Sequence, residues 1–271
     1  MIRSCVTIAL VPQIKTGPWI FWQDLEASMA QAARLGFDAV ELFTASAGAL
    51  DPDLLASLLE KHALQLAAVG TGAGKVIGGL TLTDPNPAVR QKALSFISDM
   101  IAFGARFGAP AIIGSMQGNV VAGVEREQAM AWLAEGLTML GRHAGARGVA
   151  LIYEPLNRYE TNLINNLASG AAFIQSLDTA NVKLLADLFH MNIEEDSLPG
   201  SIRQAGAAIG HVHFADSNRR PMGLGHTAVP AIARALSDIG YQGYLSAEAF
   251  PWPNPEEAAR QTMAAFKQFF T

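Results

Sequence analysis

Cysteine is almost absent from this chain, since Cys5 is the only one among 271 residues. One cysteine cannot form an intrachain disulfide, and it cannot supply the several thiolates that a cysteine-based zinc site requires. Cys5 begins a short apolar run, so we expect it to be a buried strand residue without chemistry. The sequence therefore excludes a fold held by internal disulfides and a metal centre built from cysteines.

Charged residues are also sparse, at 16%, and the formal net charge is −5. A protein that coats nucleic acid or an anionic membrane is usually basic. Long apolar runs are missing too, because no segment reaches the ~18 uncharged residues of a membrane-spanning helix. The apolar run 5–11 lacks a signal-peptide cleavage pattern after it. We expect a cytoplasmic protein without nucleic-acid or membrane partners.

Apolar residues, in contrast, make up 50% of the chain, which is enough for a sizeable core. Short β-rich apolar runs alternate with longer segments in which apolar residues recur at helical spacing, as Met130, Leu133 and Leu137 do. The predicted strands are 6–11, 39–43, 66–69, 111–114, 150–154, 182–187, 211–215 and 244–247. The predicted helices are 22–35, 52–62, 88–107, 127–146, 168–177, 199–209, 229–239 and 255–270.

Eight strand–helix pairs in strict alternation predict an α/β fold, a closed (β/α)8 TIM barrel with parallel strands. Such barrels take about 250 residues, so we expect a single domain over residues 1–271. An open doubly wound sheet is the alternative. It usually has a glycine-rich turn after its first strand, and residues 12–18 do not form one.

Glycines concentrate in residues 70–79, just after the third predicted strand. A phosphate-binding P-loop needs a glycine five residues before its Gly-Lys pair and Ser or Thr after the lysine. Val69 and Val76 occupy those two positions, so the match fails. We interpret the segment as a flexible loop at the barrel mouth that could serve as a lid.

Four predicted strands end in side chains of metal-binding type, namely Glu154, Asp187, His213 and Glu248. They are spaced by roughly one strand–helix unit, so they would meet at the C-terminal ends of four successive strands, where barrel enzymes have their active sites. A single carboxylate in such a place commonly caps a helix or pairs with a cationic side chain. Four together would repel one another without a cation.

The oxygen-rich set favours one divalent ion per chain, Mn²⁺ or Mg²⁺, with Co²⁺ tolerated. His211 would lie on the same face of its strand as His213, because side chains alternate between the two faces. His213 is nearer the predicted mouth. We therefore assign the metal to His213 and expect His211 to be deeper and structural.

Three strings in the second half of the chain resemble the ketose 3-epimerase (D-tagatose 3-epimerase) family of xylose isomerase-like TIM barrels. They are Tyr-Glu-Pro-Leu-Asn-Arg-Tyr-Glu at 153–160, Asp-Leu-Phe-His-Met-Asn-Ile-Glu-Glu at 187–195 and His-Phe-Ala-Asp-Ser-Asn-Arg at 213–219. The likeness is strong over 150–248. Before that it is limited to the strings 36–42 and 114–118.

The resemblance implies a metal held by the same four residues that the spacing indicates. It also implies that Glu160, His190 and Arg219 contact substrate oxygens around C1 and C2, with His190 in the loop after the sixth strand. We expect Glu154 and Glu248 to be the catalytic acid–base pair, one removing a proton and the other returning it to the opposite face of a cis-enediolate. The family further suggests a homodimer or homotetramer.

The predicted activity is therefore metal-dependent epimerisation of a ketose or keto-sugar acid. A hydroxypyruvate- or xylose-isomerase-like aldose–ketose isomerase is the nearest alternative; an endonuclease IV-like nuclease and a non-catalytic sugar sensor are more distant. The segment 220–229 lacks a tryptophan that many family members have, which leaves the substrate open. Trp19, Trp22 and Trp252 could form an apolar wall at the mouth.

Overall fold

A closed barrel of parallel strands organises the molecule, as the alternation predicts. The computed structural model describes residues 1–270. Neighbouring strands pair in the order β2-β1-β3-β4-β5-β6-β7-β8-β9, and β1 also pairs with β9, which closes the sheet. The strands are β1 Arg3–Leu10, β2 Phe21–Trp22, β3 Ala39–Thr44, β4 Gln65–Gly70, β5 Ala111–Ile113, β6 Leu151–Tyr153, β7 Val182–Asp187, β8 Ile209–His213 and β9 Tyr244–Ala247. Because β2 is a two-residue addition beside β1, the barrel wall has eight strands, and the TIM-barrel prediction is confirmed.

Helices follow the barrel strands, and most of them cover the outside of the wall. They are α1 Leu25–Leu35, α2 Pro52–His62, α3 Ala73–Gly78, α4 Pro87–Ala105, α5 Arg126–Gly145, α6 Leu167–Gln175, α7 Leu188–Glu194, α8 Leu198–Ala205, α9 Val229–Asp238 and α10 Pro255–Phe270. Capping side chains start several of them, as Asp24 does for α1 by accepting from the Ala27 amide at 3.0 Å. Within residues 1–270, none of the helices is both long and apolar enough to cross a bilayer.

The structure corrects the sequence prediction at three places. The glycine-rich segment is partly helical, because α3 runs from Ala73 to Gly78 and is followed by Gly79, whose φ of +64° suits glycine. A short helix, α7, begins directly after β7, so His190 lies on a helix and not in a loop. The predicted helix 199–209 ends at Ala205, since Gly206 leaves the helical conformation. That residues 1–271 form one domain stays a prediction.

Alternation of side chains along the strands creates layers inside the barrel. A buried apolar layer contains Ala68, Ile112, Ile152 and Leu185. Ala68 pairs in register with Glu41, and Leu185 with His211. The residue two positions beyond an inward-facing one also faces inward. Glu154, the residue directly after β6, and the last side chains of β7 and β8 therefore point, one layer higher, towards a common space at the mouth.

Candidate active site

The four predicted metal ligands meet at the C-terminal mouth of the barrel. Glu154 directly follows β6, Asp187 and His213 end β7 and β8, and Glu248 directly follows β9. One ligand atom from each residue lies within 4.8 Å of the others. The first three side chains are buried and Glu248 is partly buried. The structure thus brings the whole set together, while the metal role of each residue stays a prediction.

His213 is at the centre of this cluster. Its Nδ1 lies 3.1 Å from Oδ2 of Asp187, 3.3 Å from Oε2 of Glu248 and 3.5 Å from Oε1 of Glu154. Oε1 of Glu154 is buried and has no hydrogen-bond partner among the described residues. A buried carboxylate oxygen without a partner is costly, and carboxylate oxygens with one imidazole suit a hard divalent cation. The residues therefore fit such an ion.

Arg219 supplies positive charge to the same cluster. Its Nη1 donates to Oδ2 of Asp187 at 2.8 Å, and its Nη2 donates to Oε2 of Glu248. The other oxygen of Asp187 caps α7 by accepting from the amides of Phe189 and His190. Asp187 therefore caps α7 with Oδ1, while Oδ2 faces the cluster, where it accepts from Arg219 and lies near His213.

The charges at the cluster shift the pKa values in different directions. Burial raises the pKa of Glu154 above its usual value, although contact with His213 opposes the rise. Burial alone would raise the pKa of Asp187 too, but the adjacent Arg219 guanidinium holds it well below its usual range. Burial alone would lower the pKa of His213, but the negative charges of Glu248 and Glu41 raise it well above the usual value. The pKa values of two carboxyl groups in one cluster are thus shifted in opposite directions.

The sequence analysis missed Glu41, a buried carboxylate on β3 directly below the cluster. Its Oε1 lies 3.2 Å from Nε2 of His213 and its Oε2 lies 2.7 Å from Nε2 of His211. A carboxylate can only accept, so each Nε2 carries a hydrogen, and Nδ1 of His213 is the nitrogen that faces the cluster, where a bound cation would replace a hydrogen. His211 is deeper than His213 and bound to Glu41, which agrees with its expected structural role. The available signals were an acidic residue within an apolar strand and its place in the string 36–42.

Gly114, from the string 114–118, makes room for Glu154. A Cβ built on Gly114 would collide with Oε2 of Glu154. The side chain of Gln117 donates from Nε2 to the carbonyl oxygens of Gly114 at 3.0 Å and of Glu154 at 2.9 Å. Tyr153 in turn donates to Oε1 of Gln117 at 2.7 Å. These bonds hold the end of β6 beside the end of β5.

Glu160, His190 and Arg219, the predicted substrate contacts, line one cavity of about 380 Å³ together with three of the cluster residues. His190 is buried, with Nε2 3.8 Å from Oε1 of Glu154. Glu160 is about half exposed, and its Oε1 lies 3.8 Å from Nδ1 of His190. The structure therefore places all three beside the candidate metal site, and their substrate contacts stay a prediction.

Aromatic side chains form the opposite wall of the cavity. Trp19 stacks on Phe43 with ring centroids 4.3 Å apart, and Phe250 adds a third ring. Of the three expected tryptophans, Trp19 alone lines this cavity among the described residues. Trp22 instead donates a hydrogen bond to the carbonyl oxygen of Trp19. Trp252 is half-exposed, and the guanidinium of Arg220 lies over its ring.

Known proteins share this fold and much of this sequence. The xylose isomerase-like TIM barrel family matches residues 29–269. A D-psicose 3-epimerase of Ruminiclostridium cellulolyticum is 32% identical over 239 residues, covering 84% of this chain and 80% of that protein. An L-ribulose 3-epimerase of Mesorhizobium japonicum is also 32% identical, covering 84% and 76%.

Solved structures agree with the sequence comparisons. D-psicose 3-epimerase from Clostridium cellulolyticum H10, whose structure was determined with D-tagatose, superposes with a TM-score of 0.81 at 26% identity over 98% of each chain. The chain therefore belongs to the xylose isomerase-like TIM barrel family and, within it, to the ketose 3-epimerases.

Proposed function

We propose that this protein is a divalent-metal-dependent epimerase that inverts C3 of a ketose. The observation that carries the proposal is the meeting of Glu154 and Glu248 with His213 in one cavity, with an unpaired oxygen of Glu154 facing the cluster. The relatives at 32% identity are named 3-epimerases of D-psicose and L-ribulose. Their names favour epimerisation over the isomerase and nuclease alternatives.

A divalent cation bound by Glu154, Asp187, His213 and Glu248 would supply Lewis-acid stabilisation of the negative charge that develops on the substrate oxygens. The side chain of Asp187 is held in place because its Oδ1 caps α7, which leaves Oδ2 to bind the cation. His213 is oriented by the carboxylate of Glu41. Both ligands are therefore held before substrate enters, which limits the cost of reorganisation.

Glu154 and Glu248 would carry out proton transfer at C3. Burial raises the pKa of Glu154 above its usual value, which suits a carboxyl group that both takes up and releases a proton. Glu248, from a different strand, would serve the opposite face of the planar enediolate. One carboxylate removes the C3 proton and the other returns a proton from the other side, which inverts the carbon. Because either glutamate can start the cycle, the reaction runs in both directions.

The remaining polar side chains of the cavity would bind and orient the sugar. Arg219 and His190 direct N–H groups into the space beside Glu154 and Asp187 and would hold the oxygens of C1 and C2. Glu160 would accept from a sugar hydroxyl. The stacked rings of Trp19 and Phe43 would cover the far end of the sugar and exclude water.

Several finer assignments belong to the same proposal. Mn²⁺ is proposed as the native ion, with Mg²⁺ and Co²⁺ as substitutes, because hard oxygen ligands outnumber the single imidazole. Assembly as a homodimer or homotetramer rests on the family resemblance. A cytoplasmic location rests on the sequence expectations alone.

Chromatographic detection of the product tests the proposal. D-psicose, D-fructose, D-tagatose and L-ribulose are incubated separately with protein stripped by a chelator and reloaded with Mn²⁺. We expect at least one ketose to convert to its C3 epimer, and the stripped protein to be inactive. Conversion of a ketose to an aldose, or no conversion of any ketose by metal-loaded protein, would overturn it.

A further inference from the structure

We propose that Asn157 is a positioning residue that fixes the hydrogen of the His190 ring on Nε2, so that His190 donates a hydrogen bond into the active site. The proposal deepens the function proposed above and rests on it for its catalytic consequence. The tautomer itself follows from contacts within the chain. Asn157 is buried in the loop after β6, inside the string 153–160 that resembles the ketose 3-epimerases.

The side-chain amide of Asn157 has one orientation. Its Oδ1 accepts from the backbone amide of Tyr159 at 2.9 Å, and a backbone N–H can only donate. Its Nδ2 lies 3.0 Å from Oε1 of Glu160, and a carboxylate oxygen accepts. Exchanging the oxygen and nitrogen would create two repulsive contacts, so two independent partners fix the amide.

The fixed amide determines the role of Nδ1 in His190. Nδ2 of Asn157 lies 2.7 Å from Nδ1 of His190, and the backbone amide of Asn157 lies 3.4 Å from the same atom. Both groups are donors, so Nδ1 must carry the lone pair that accepts them. In a ring with one hydrogen, that hydrogen is then on Nε2.

Nε2 of His190 faces the candidate active site. It lies 3.8 Å from Oε1 of Glu154 and 3.9 Å from Oδ2 of Asp187, two acceptors that suit an N–H. Nη1 of Arg219 lies 3.5 Å away, but this nitrogen already donates to Asp187 at 2.8 Å. Nη1 carries a second hydrogen, but its 3.5 Å contact with Nε2 is at the outer limit of a hydrogen bond, whereas Nδ1 has a donor at 2.7 Å and a second at 3.4 Å. The lone pair therefore belongs on Nδ1, where the shorter contact is.

This assignment separates hydrogen-bond donation by His190 from proton transfer by the glutamates. With its hydrogen on Nε2, His190 can stabilise an oxygen that gains negative charge, but it cannot remove a proton from the substrate at that atom. Proton transfer is then left to Glu154 and Glu248. Asn157 acts through His190 and would not touch the sugar itself.

Nitrogen NMR of histidine-labelled protein tests the assignment. Spectra are recorded at alkaline pH on Mg²⁺-loaded protein, since Mn²⁺ broadens nearby resonances. In the unchanged chain we expect the His190 Nδ1 resonance to be of the lone-pair type and the Nε2 resonance to be of the hydrogen-bearing type. The Asn157→Asp variant keeps an acceptor for the Tyr159 amide but replaces the donor to His190 with a second acceptor, so the hydrogen should move to Nδ1.

Asn165→Asp is the matched control, because Asn165 lies in the same loop but its Nδ2 donates to the carbonyl oxygens of Leu156 and Thr161. It adds the same charge to the loop and should leave the His190 pattern unchanged. Removing a donor of this kind typically costs about 100-fold or more in kcat, so Asn157→Asp should lower kcat by about that factor with a smaller change in KM.

Two outcomes would overturn the inference: a hydrogen on Nδ1 of His190 in the unchanged chain, or the same tautomer in Asn157→Asp as in the unchanged chain. The nitrogen spectra require no substrate. A failure to convert any ketose, with the spectra as expected, would therefore count against the proposed function and leave the tautomer assignment in place.

Discussion

The carboxylate of Glu41 lies 3.2 Å from Nε2 of His213, on the side of the ring opposite the other three carboxylates. This contact decides which ring nitrogen is available to the cluster. A second oxygen of Glu41 binds His211 at 2.7 Å, so one buried carboxylate accepts from two imidazoles. The proposed metal site therefore has a support one layer below its proposed ligands, and such supports commonly affect metal affinity.

Replacing Glu41 with glutamine should weaken metal binding. A glutamine offers one acceptor oxygen and one N–H₂ group, so it cannot accept from both His211 and His213. We expect the Kd for Mn²⁺, measured by titration calorimetry on chelator-stripped protein, to rise about 10- to 100-fold. Glu60→Gln, at an exposed position on α2, is the control and should bind normally. An unchanged Kd for Glu41→Gln would show that His213 needs no such support.

Two periodicities explain why the meeting of Glu154, Asp187, His213 and Glu248 could be predicted from the sequence. Strand side chains alternate between the two faces, so Glu154 and Asp187 face inward two positions beyond Ile152 and Leu185. One strand–helix unit separates successive strand ends, which places each new side chain beside the previous one around the mouth. Both rules act over short stretches of chain and require no knowledge of distant partners.

Glu41 has no such local signal. Its partners lie 170 and 172 residues further along the chain, and they become neighbours because the barrel closes. The two short helices were missed for another reason. Helices α3 and α7 have six and seven residues, too few to show a helical repeat. For Asp187, capping and metal binding were treated as alternatives, whereas the two carboxylate oxygens allow both.

The Gly114→Ala substitution should disturb the site while sparing the fold. The added methyl group would occupy the space of the Glu154 carboxylate, which must then leave the cluster. We expect loss of most Mn²⁺ affinity and of turnover, measured by calorimetry and by conversion of the ketose. Gly48→Ala provides the control, since a Cβ there meets nothing within 4 Å. Normal metal binding by Gly114→Ala would show that Glu154 can adopt another useful position.

Asp216 should matter for the loop that carries Arg219, with an effect that depends on pH. Its carboxylate accepts from the backbone amides of Ser217, Gly223, Gly225 and Thr227. Burial alone would raise the pKa of Asp216, but these hydrogen bonds hold it below its usual value. The stabilisation is therefore present above the unfolded-state pKa of about 3.9 and is lost as pH falls through the lower folded-state pKa.

An Asp216→Asn variant should lower the free energy of unfolding by about 1–3 kcal/mol at pH 7, because an amide group would face backbone donors. Urea unfolding followed by circular dichroism measures this difference. The gap between variant and unchanged chain should narrow as the pH is lowered below about 4. A gap that stays constant across this range would mean that ionised Asp216 does not organise the loop.

Glu154→Gln and Glu248→Gln together test the acid–base pair. Each variant keeps a side-chain oxygen near the cluster but cannot exchange a proton with C3. Proton transfer by a positioned carboxylate contributes about 10²- to 10⁴-fold, so each kcat should fall by at least that lower factor while part of the metal affinity remains. The metal content of each variant is measured alongside. Substantial epimerase activity in either metal-loaded variant would remove that glutamate from the mechanism.

The most direct test of the central claim is proton NMR of a ketose incubated with Mg²⁺-loaded protein in D₂O. Epimerisation at C3 exchanges the C3 proton with solvent, whereas aldose–ketose isomerisation exchanges a proton at C1. We predict that deuterium enters at C3, that it accompanies formation of the C3 epimer, and that chelation of the metal stops it. Deuterium at C1, or no exchange with the metal confirmed in the site, would contradict the account.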